Sequence, residues 1–199
     1  YFTQQKIPIN TPYYVEPFIE TDGDWGYYLG AHWRYLKKTD LRVYYYDNRG
    51  DPLAIEPNRQ YAWKTRYYSV SLQHKLTKKI RILGQYLAGD TGMGTEQKGV
   101  FTEISSWYVM MSYKFGAHRF SLRHDQFDVK ETDSNPHDPN DSDGKSMTLT
   151  WRYDIDQDWN VGAEFLNTTS YNENKTLWKN WVPKNTQQQY MAIVQYKFN

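Results

Sequence analysis

The chain has 199 residues, a formal net charge of +1, and no cysteine. Aromatic residues make up 18% of it, including 19 Tyr and 8 Trp, yet the mean hydropathy is −0.90. The near-neutral charge argues against a nucleic-acid partner, no stretch is apolar enough for a membrane helix, and the absence of Cys leaves the redox compartment open.

In chain order, two-residue alternation wins over helical periodicity nearly everywhere. It predicts about ten strands of the kind a tilted membrane strand needs: Tyr13–Glu20, Gly26–Leu36, Asp40–Asn48, Gln60–Leu76, Lys79–Ala88, Phe101–Phe115, His118–Lys130, Lys145–Tyr153, Trp159–Tyr171 and Gln188–Phe198. In the first, Pro17 suits an edge or irregular strand. In the fourth the alternation breaks around Arg66–Tyr68, where a bulge is expected. The eighth is the cleanest: Met147, Leu149, Trp151, Tyr153 and Ile155 share one face, and Ser146, Thr148, Thr150, Arg152 and Asp154 share the other.

Connections alternate in length. Short turns are expected at Lys37–Thr39, Thr77–Lys78, Gly116–Ala117 and Asp154–Asp158. Long polar loops are expected at Arg49–Arg59, Gly89–Val100, Glu131–Gly144 and Asn172–Gln187. Short turns on one side and long loops on the other mark an outer-membrane barrel. The expected fold is therefore all-β: an antiparallel transmembrane barrel of outer-membrane type, forming one domain over residues 1–199 with 1–11 as a lead-in. Either it closes alone or it is the C-terminal part of a larger barrel of roughly sixteen strands. The last strand ends in an aromatic, Phe198, followed by Asn199.

If the apolar alternation faces lipid, the opposite face collects His32, Arg34, Arg42, Arg66, Arg81, Lys114, Arg119, Arg123, Arg152 and Lys197, against the acids Glu16, Asp125 and Glu164. Such a wall favours anions over cations, and Arg adds a bidentate fork for phosphate or carboxylate. The blander alternative is that these charges pair across strands and fill a narrow lumen. Trp25, Tyr27, Trp33, Tyr35, Trp107, Tyr108, Trp151, Tyr153, Trp159, Tyr190 and Phe198 are expected in interfacial girdles. Tyr28, Tyr44 and Tyr46 face the lumen and are the better candidates for contact with a sugar.

Other chemistry is weakly signalled. The acidic loop Asp133–Gly144 spaces oxygens closely but lacks the full order of a Ca²⁺ loop, so no metal residue is assigned. Ser121 and Asp125 share a face that His124 does not, which excludes a local catalytic triad. The five His show no metal spacing. No catalytic residue and no cofactor is expected.

Three segments carry a resemblance to a known family: "YYSVSLQHKLTKKIRILGQYLAGDTGMG" (Tyr67–Gly94), the run "YVMMSYKFGAHRFSLRHDQFDV", and "NDSDGKSMTLTWRYDI" with "WNVGAEFLNTTS". Together they resemble the C-terminal region of porin-like outer-membrane proteins of Gammaproteobacteria, often grouped with the phosphate-selective porins. The resemblance implies a porin-type barrel in the bacterial outer membrane, with lipid and lipopolysaccharide around it, small polar or anionic solutes passing through, and the homotrimeric state left open. No selectivity residue of the phosphate porins matches a position here. A closed-lumen barrel acting as an enzyme or surface binder, and a soluble carbohydrate-binding sandwich, are the competing readings.

Overall fold

The computed structural model describes residues 20–55, 61–95, 97–135, 137–178 and 181–198. They form one antiparallel sheet of nine strands in sequence order: β1 (Tyr27–Tyr35), β2 (Thr39–Asp47), β3 (Lys64–Lys75), β4 (Ile80–Met93), β5 (Val100–Phe115), β6 (His118–Glu131), β7 (Ser142–Asp154), β8 (Trp159–Asn172) and β9 (Lys184–Tyr196). The only helical element among them is a 3₁₀ turn, Glu173–Leu177, in the last long loop. Of the expected strands, Tyr13–Glu20 lies, but for its last residue, outside the described residues, as do Glu16 and Pro17. The other nine match the sheet. The largest boundary change is at β4, which runs on to Met93 rather than stopping at Ala88. Among the described residues β1 and β9 are free edges, and the sheet is not closed.

The register is continuous from strand to strand, so every residue can be assigned to one of two faces. One face is apolar in its middle: Leu29, Val43, Val70, Leu72, Ile82, Val109, Met111, Leu122, Leu149, Ala163 and Val194. Many of these are open to the surroundings; Val109 is 50% exposed, Leu149 52% and Val194 69%. Among the described residues the buried apolar ones are only Ala62, Met93 and Val100. A sheet with no internal core and a wide bare apolar face is stable only where hydrocarbon covers that face. This disposes of the soluble sandwich.

Aromatics bound the belt at both ends. Trp33, Tyr35, Tyr113, Phe115, Phe120, Trp151, Tyr153, Trp159 and Tyr196 lie toward the short turns, and Tyr27, Tyr45, Tyr68, Tyr86, Trp107 and Tyr190 toward the long loops. Trp107 and Phe115 are separated by about 27 Å along β5 at the usual rise. With a tilt of about 40° that spans about 20 Å of membrane, close to the apolar band of outer-membrane barrels. Beyond the loop-side girdle the strands continue with charges on the outward face as well: Asp90, Glu103, Asp128, Lys130, Asp143 and Lys145. The sheet thus extends above the hydrocarbon into water, which is why β4 is longer than its apolar pattern suggests.

The short turns are locally encoded. Gly116 takes φ +59° in the two-residue hairpin before His118. In the β7–β8 turn the Asp156 carboxylate accepts the backbone N–H groups of Asp158 (2.9 Å) and Trp159 (2.7 Å), the latter being the main cause of its depressed pKa. The β1–β2 turn is less comfortable, since Leu36 and Lys37 both adopt positive φ, 49° and 52°, with Lys38 N donating to Tyr35 O (2.9 Å). Positive φ at both central positions is the geometry that Asn-Gly serves best.

Two predictions follow from this frame. Leu149→Arg should destabilise the protein by about 2–4 kcal/mol in lipid vesicles, as expected for a cation placed at mid-bilayer on the lipid face. Thr148→Arg, one residue away on the other face, should cost under about 1 kcal/mol, because lumen substitutions meet water; urea titration followed by tryptophan fluorescence separates the two. The double change Leu36→Asn with Lys37→Gly should raise the same midpoint, by about 1 kcal/mol in stability, through relief of left-handed strain.

Candidate functional site

The second face of the sheet carries most of the charged and polar side chains, interspersed with apolar ones such as Leu83, Leu87, Met110, Leu166, Met191 and Ile193. The same register places on it His32, Arg34, Asp40, Arg42, Lys75, Arg81, Lys114, Arg119, Arg123, Asp125, Arg152, Asp154 and Glu164, together with Ser, Thr and Gln. The polar side chains are linked across strands: Gln85 Nε2 donates to Ser69 Oγ (3.0 Å), Thr150 Oγ1 to Glu164 (2.9 Å), Ser146 Oγ to Asp125 (3.2 Å) and Asn160 Nδ2 to Gln195 (3.2 Å).

The cations gather toward the short-turn end. Arg34 and Arg42 flank the turn at 36–38, Lys75 and Arg81 the turn at 76–79, and Lys114 and Arg119 the turn at 116–117. Arg152 sits just before the turn at 155–158. Lys197 lies one residue past β9 beside that turn, its backbone N–H donating to Asp158 O (3.0 Å).

Their partners differ. Asp40 is a hub that takes three of the expected residues at once: His32 Nε2 at 2.8 Å, Arg34 Nε at 3.0 Å and Arg42 Nε at 2.9 Å. Asp154 lies 3.4 Å from Arg152 Nε and 3.9 Å from Lys114 Nζ. Arg123 is bidentate on Asp125, and its guanidinium carbon sits 4.0 Å above the centre of the Tyr108 ring. Arg119 donates to a neutral partner, Ser112 Oγ, at 3.0 Å. Arg81, Lys75 and Lys197 form no ion pair among the described residues. The wall is therefore neither fully paired nor fully free. Three carboxylates, Asp40, Asp125 and Asp154, neutralise part of it, and Lys75, Arg81, Arg119 and Lys197 keep their charge for whatever occupies the adjoining water.

Arg66 is a correction. It belongs to the opposite, outward face, where it pairs with Asp90, its cross-strand partner, at 2.6 Å. The β3–β4 register is unbroken from Lys64↔Gly92 to Lys75↔Arg81, so the expected bulge is absent and Tyr67, not Arg66, faces the polar side. Tyr108 is a second correction: it lies under Arg123 on the polar face and leaves the girdle to Trp107. Sequence reasoning missed Lys75 and Asp40 as parts of the wall, and placed Asp154 on the Arg152 face without counting it among the wall's acids. For Asp40 the signal was present, since it shares parity with Arg42, Tyr44 and Tyr46.

Tyr28, Tyr44 and Tyr46 do face the polar side. Tyr28 stacks on Tyr44 with centroids 5.3 Å apart, and Tyr46 on Tyr67 at 5.2 Å. Gly30 makes the first stack possible, because a Cβ there would lie 2.5 Å from the Tyr44 ring. His124 points outward, edge-on to Trp107, while Ser121 and Asp125 stay on the polar face, so these three do not meet. In the acidic loop the carboxylates serve the backbone: Asp133 accepts from Phe101 N (2.7 Å) and Asn135 N (2.9 Å), and Asp141 accepts from Glu131 N (2.6 Å).

No protein-family model and no curated protein sequence matches the chain. Among solved structures it is similar to the siderophore receptor PirA from Pseudomonas aeruginosa, with a TM-score of 0.55 and 12% identity over 84% of this chain. The chain spans 29% of that receptor's length. The likeness establishes the outer-membrane type of barrel fold in general, and it does not single out the phosphate-selective porins suggested by the sequence resemblance.

Because the cationic partner in each ion pair of Asp40 and Asp154 is well exposed to solvent, Asp40→Asn and Asp154→Asn should each change folding stability by less than about 1 kcal/mol. Urea unfolding of the two variants in vesicles checks this. A loss well above that range would mean that the carboxylates hold the wall together rather than tune its charge.

Proposed function

We propose that the chain forms the wall of a bacterial outer-membrane channel for passive diffusion of small polar solutes, with anions favoured. The observation that carries the reading is the band of cations on the polar face near the short turns, in which Lys75, Arg81, Arg119 and Lys197 lack a carboxylate partner among the described residues. Unpaired guanidinium and ammonium groups lower the barrier for an anion entering a narrow aqueous path and raise it for a cation. Arg81, Arg119 and Arg152 offer planar forks suited to carboxylate or phosphate oxygens. The apolar belt with its two girdles supports placement in the outer membrane, with lipopolysaccharide as the outer neighbour. The channel role assigns no catalytic group.

The test is the reversal potential of the purified protein in planar bilayers under a tenfold KCl gradient. Anion preference is expected, reduced in the triple variant Arg81→Gln/Arg119→Gln/Arg152→Gln and increased in Asp40→Asn, which releases Arg34 and Arg42. Cation preference in the unmodified protein, or no conductance at all, would overturn the proposal.

A further inference from the structure

At the long-loop end of β1–β3 the structure forms a cleft of about 550 Å³ that the cation band does not reach. Its aromatic lining is Trp25, Tyr27, Tyr28, Tyr46, Tyr61 and Trp63, and its charged lining consists, among the described residues, of Glu20, Asp22 and Asp24, with no Lys, Arg or His. Several of the rings are open to water, with Trp25 81% exposed, Tyr28 56% and Trp63 44%. This end of the sheet lies beyond the hydrocarbon on the strand pattern described above, so Trp25 and Trp63 are not accounted for by lipid. Large rings gathered around a water-filled cleft are a recognition feature rather than ordinary surface.

The cleft is built, not incidental. Asp22 Oδ2 accepts the N–H of Asp51 (2.7 Å) and ties the segment before β1 to the β2–β3 loop. Gly26 lies so close to Asn48 that a Cβ would come within 2.5 Å of its Cα. Asn48 in turn donates its amide to Trp63 O and accepts Thr65 N–H (2.7 Å), which fixes the far wall. Gly50 passes beneath that wall, with room for no side chain against the Trp63 carbonyl.

We infer that this cleft binds a neutral oligosaccharide, whose C–H faces stack on the tyrosine and tryptophan rings while its hydroxyls donate to Asp24 and to the cleft's other oxygens. Sugars present alternating apolar C–H patches and hydroxyls, and flat rings beside carboxylates match both. Anions are disfavoured by the three carboxylates. The cleft is also poorly arranged for a cation, because two of those carboxylates are already occupied by backbone donors. Glu20 accepts from Gly23 N (3.0 Å), and Asp22 accepts from Asp24 N (3.0 Å) as well as Asp51 N, the latter holding its carboxyl below the usual range. The stacked pairs Tyr28–Tyr44 and Tyr46–Tyr67 continue the rings from the cleft along the polar face, which gives a chain of several sugar units a surface to follow.

The experiment is isothermal titration calorimetry of the purified protein in a detergent without a sugar headgroup, using maltohexaose, cellohexaose and the fully deacetylated, cationic chitohexaose. Saturable binding of at least one neutral hexaose is expected, at least tenfold tighter than chitohexaose. It should weaken at least tenfold in Trp25→Ala/Tyr28→Ala and be unchanged in Trp159→Ala, whose ring lies at the opposite, short-turn girdle. Absence of binding by both neutral hexaoses, tighter binding of chitohexaose, or equal affinity in the Trp25→Ala/Tyr28→Ala variant would each overturn the inference. Calorimetry reads the cleft independently of ion preference, so its failure and that of the channel proposal are separate results.

Discussion

A peptide group in hydrocarbon has no water to bond with, and this constraint shapes the rest of the molecule. Each unpaired N–H or C=O costs several kcal/mol there. A sheet of hydrogen-bonded neighbours meets the requirement everywhere except at its edges, and among the described residues those edges are β1 and β9. Both are odd-numbered strands of a strictly antiparallel series, so they point the same way. Antiparallel closure therefore takes an odd number of further strands between them; direct pairing of β1 with β9 would be parallel. The same ladder imposes the two-residue repeat, since a pleated strand sends consecutive side chains to opposite faces. The separation of rings from cations is thus a consequence of satisfying the backbone.

The polar face then becomes an electrostatic object with a direction. Cations collect near the short turns, and carboxylates are interleaved at Asp40 and Asp154 rather than spread evenly. A hub such as Asp40 neutralises its neighbours locally, yet one carboxylate held between a histidine and two arginines leaves an excess of positive charge. At physiological ionic strength screening acts over about 8 Å, so such an excess is felt only by solutes passing close to the wall. The paired charges mainly fix side-chain positions, and the unpaired ones set the field.

Most of the sheet was legible because its signal is local and repeated. Strands of alternating character, turns such as Gly116–Ala117 and the long loops can be read one segment at a time. Failures occurred where two rings adjoin. Tyr67–Tyr68 and Trp107–Tyr108 each place one amphipathic ring on either face, so neither doublet reports parity, and Arg66 and Tyr108 went to the wrong sides. The end of β4 was missed for a related reason: above the hydrocarbon both faces are polar, and alternation vanishes while the hydrogen bonds continue. The aromatic cleft was not readable at all as a unit. Its walls come from residues 20–28, 46–50 and 61–63, joined by contacts such as Asp22 to Asp51 that no spacing rule encodes.

Under the channel reading proposed above, these two regions would impose different selections on a solute that meets them in series. The cleft at the loop end is lined, among the described residues, by rings and carboxylates without a cation, and the short-turn end offers cations with few free carboxylates. On that reading, an anion is disfavoured at the first and stabilised at the second. A neutral sugar gains by stacking at the first and meets in the second only hydrogen-bond donors, which its hydroxyls can use without a charge penalty. A simple cation is attracted weakly at the mouth and opposed further in. On the channel reading, opposite charges at the two ends act on cations and anions in opposite order, and only a neutral solute escapes a charge penalty at both.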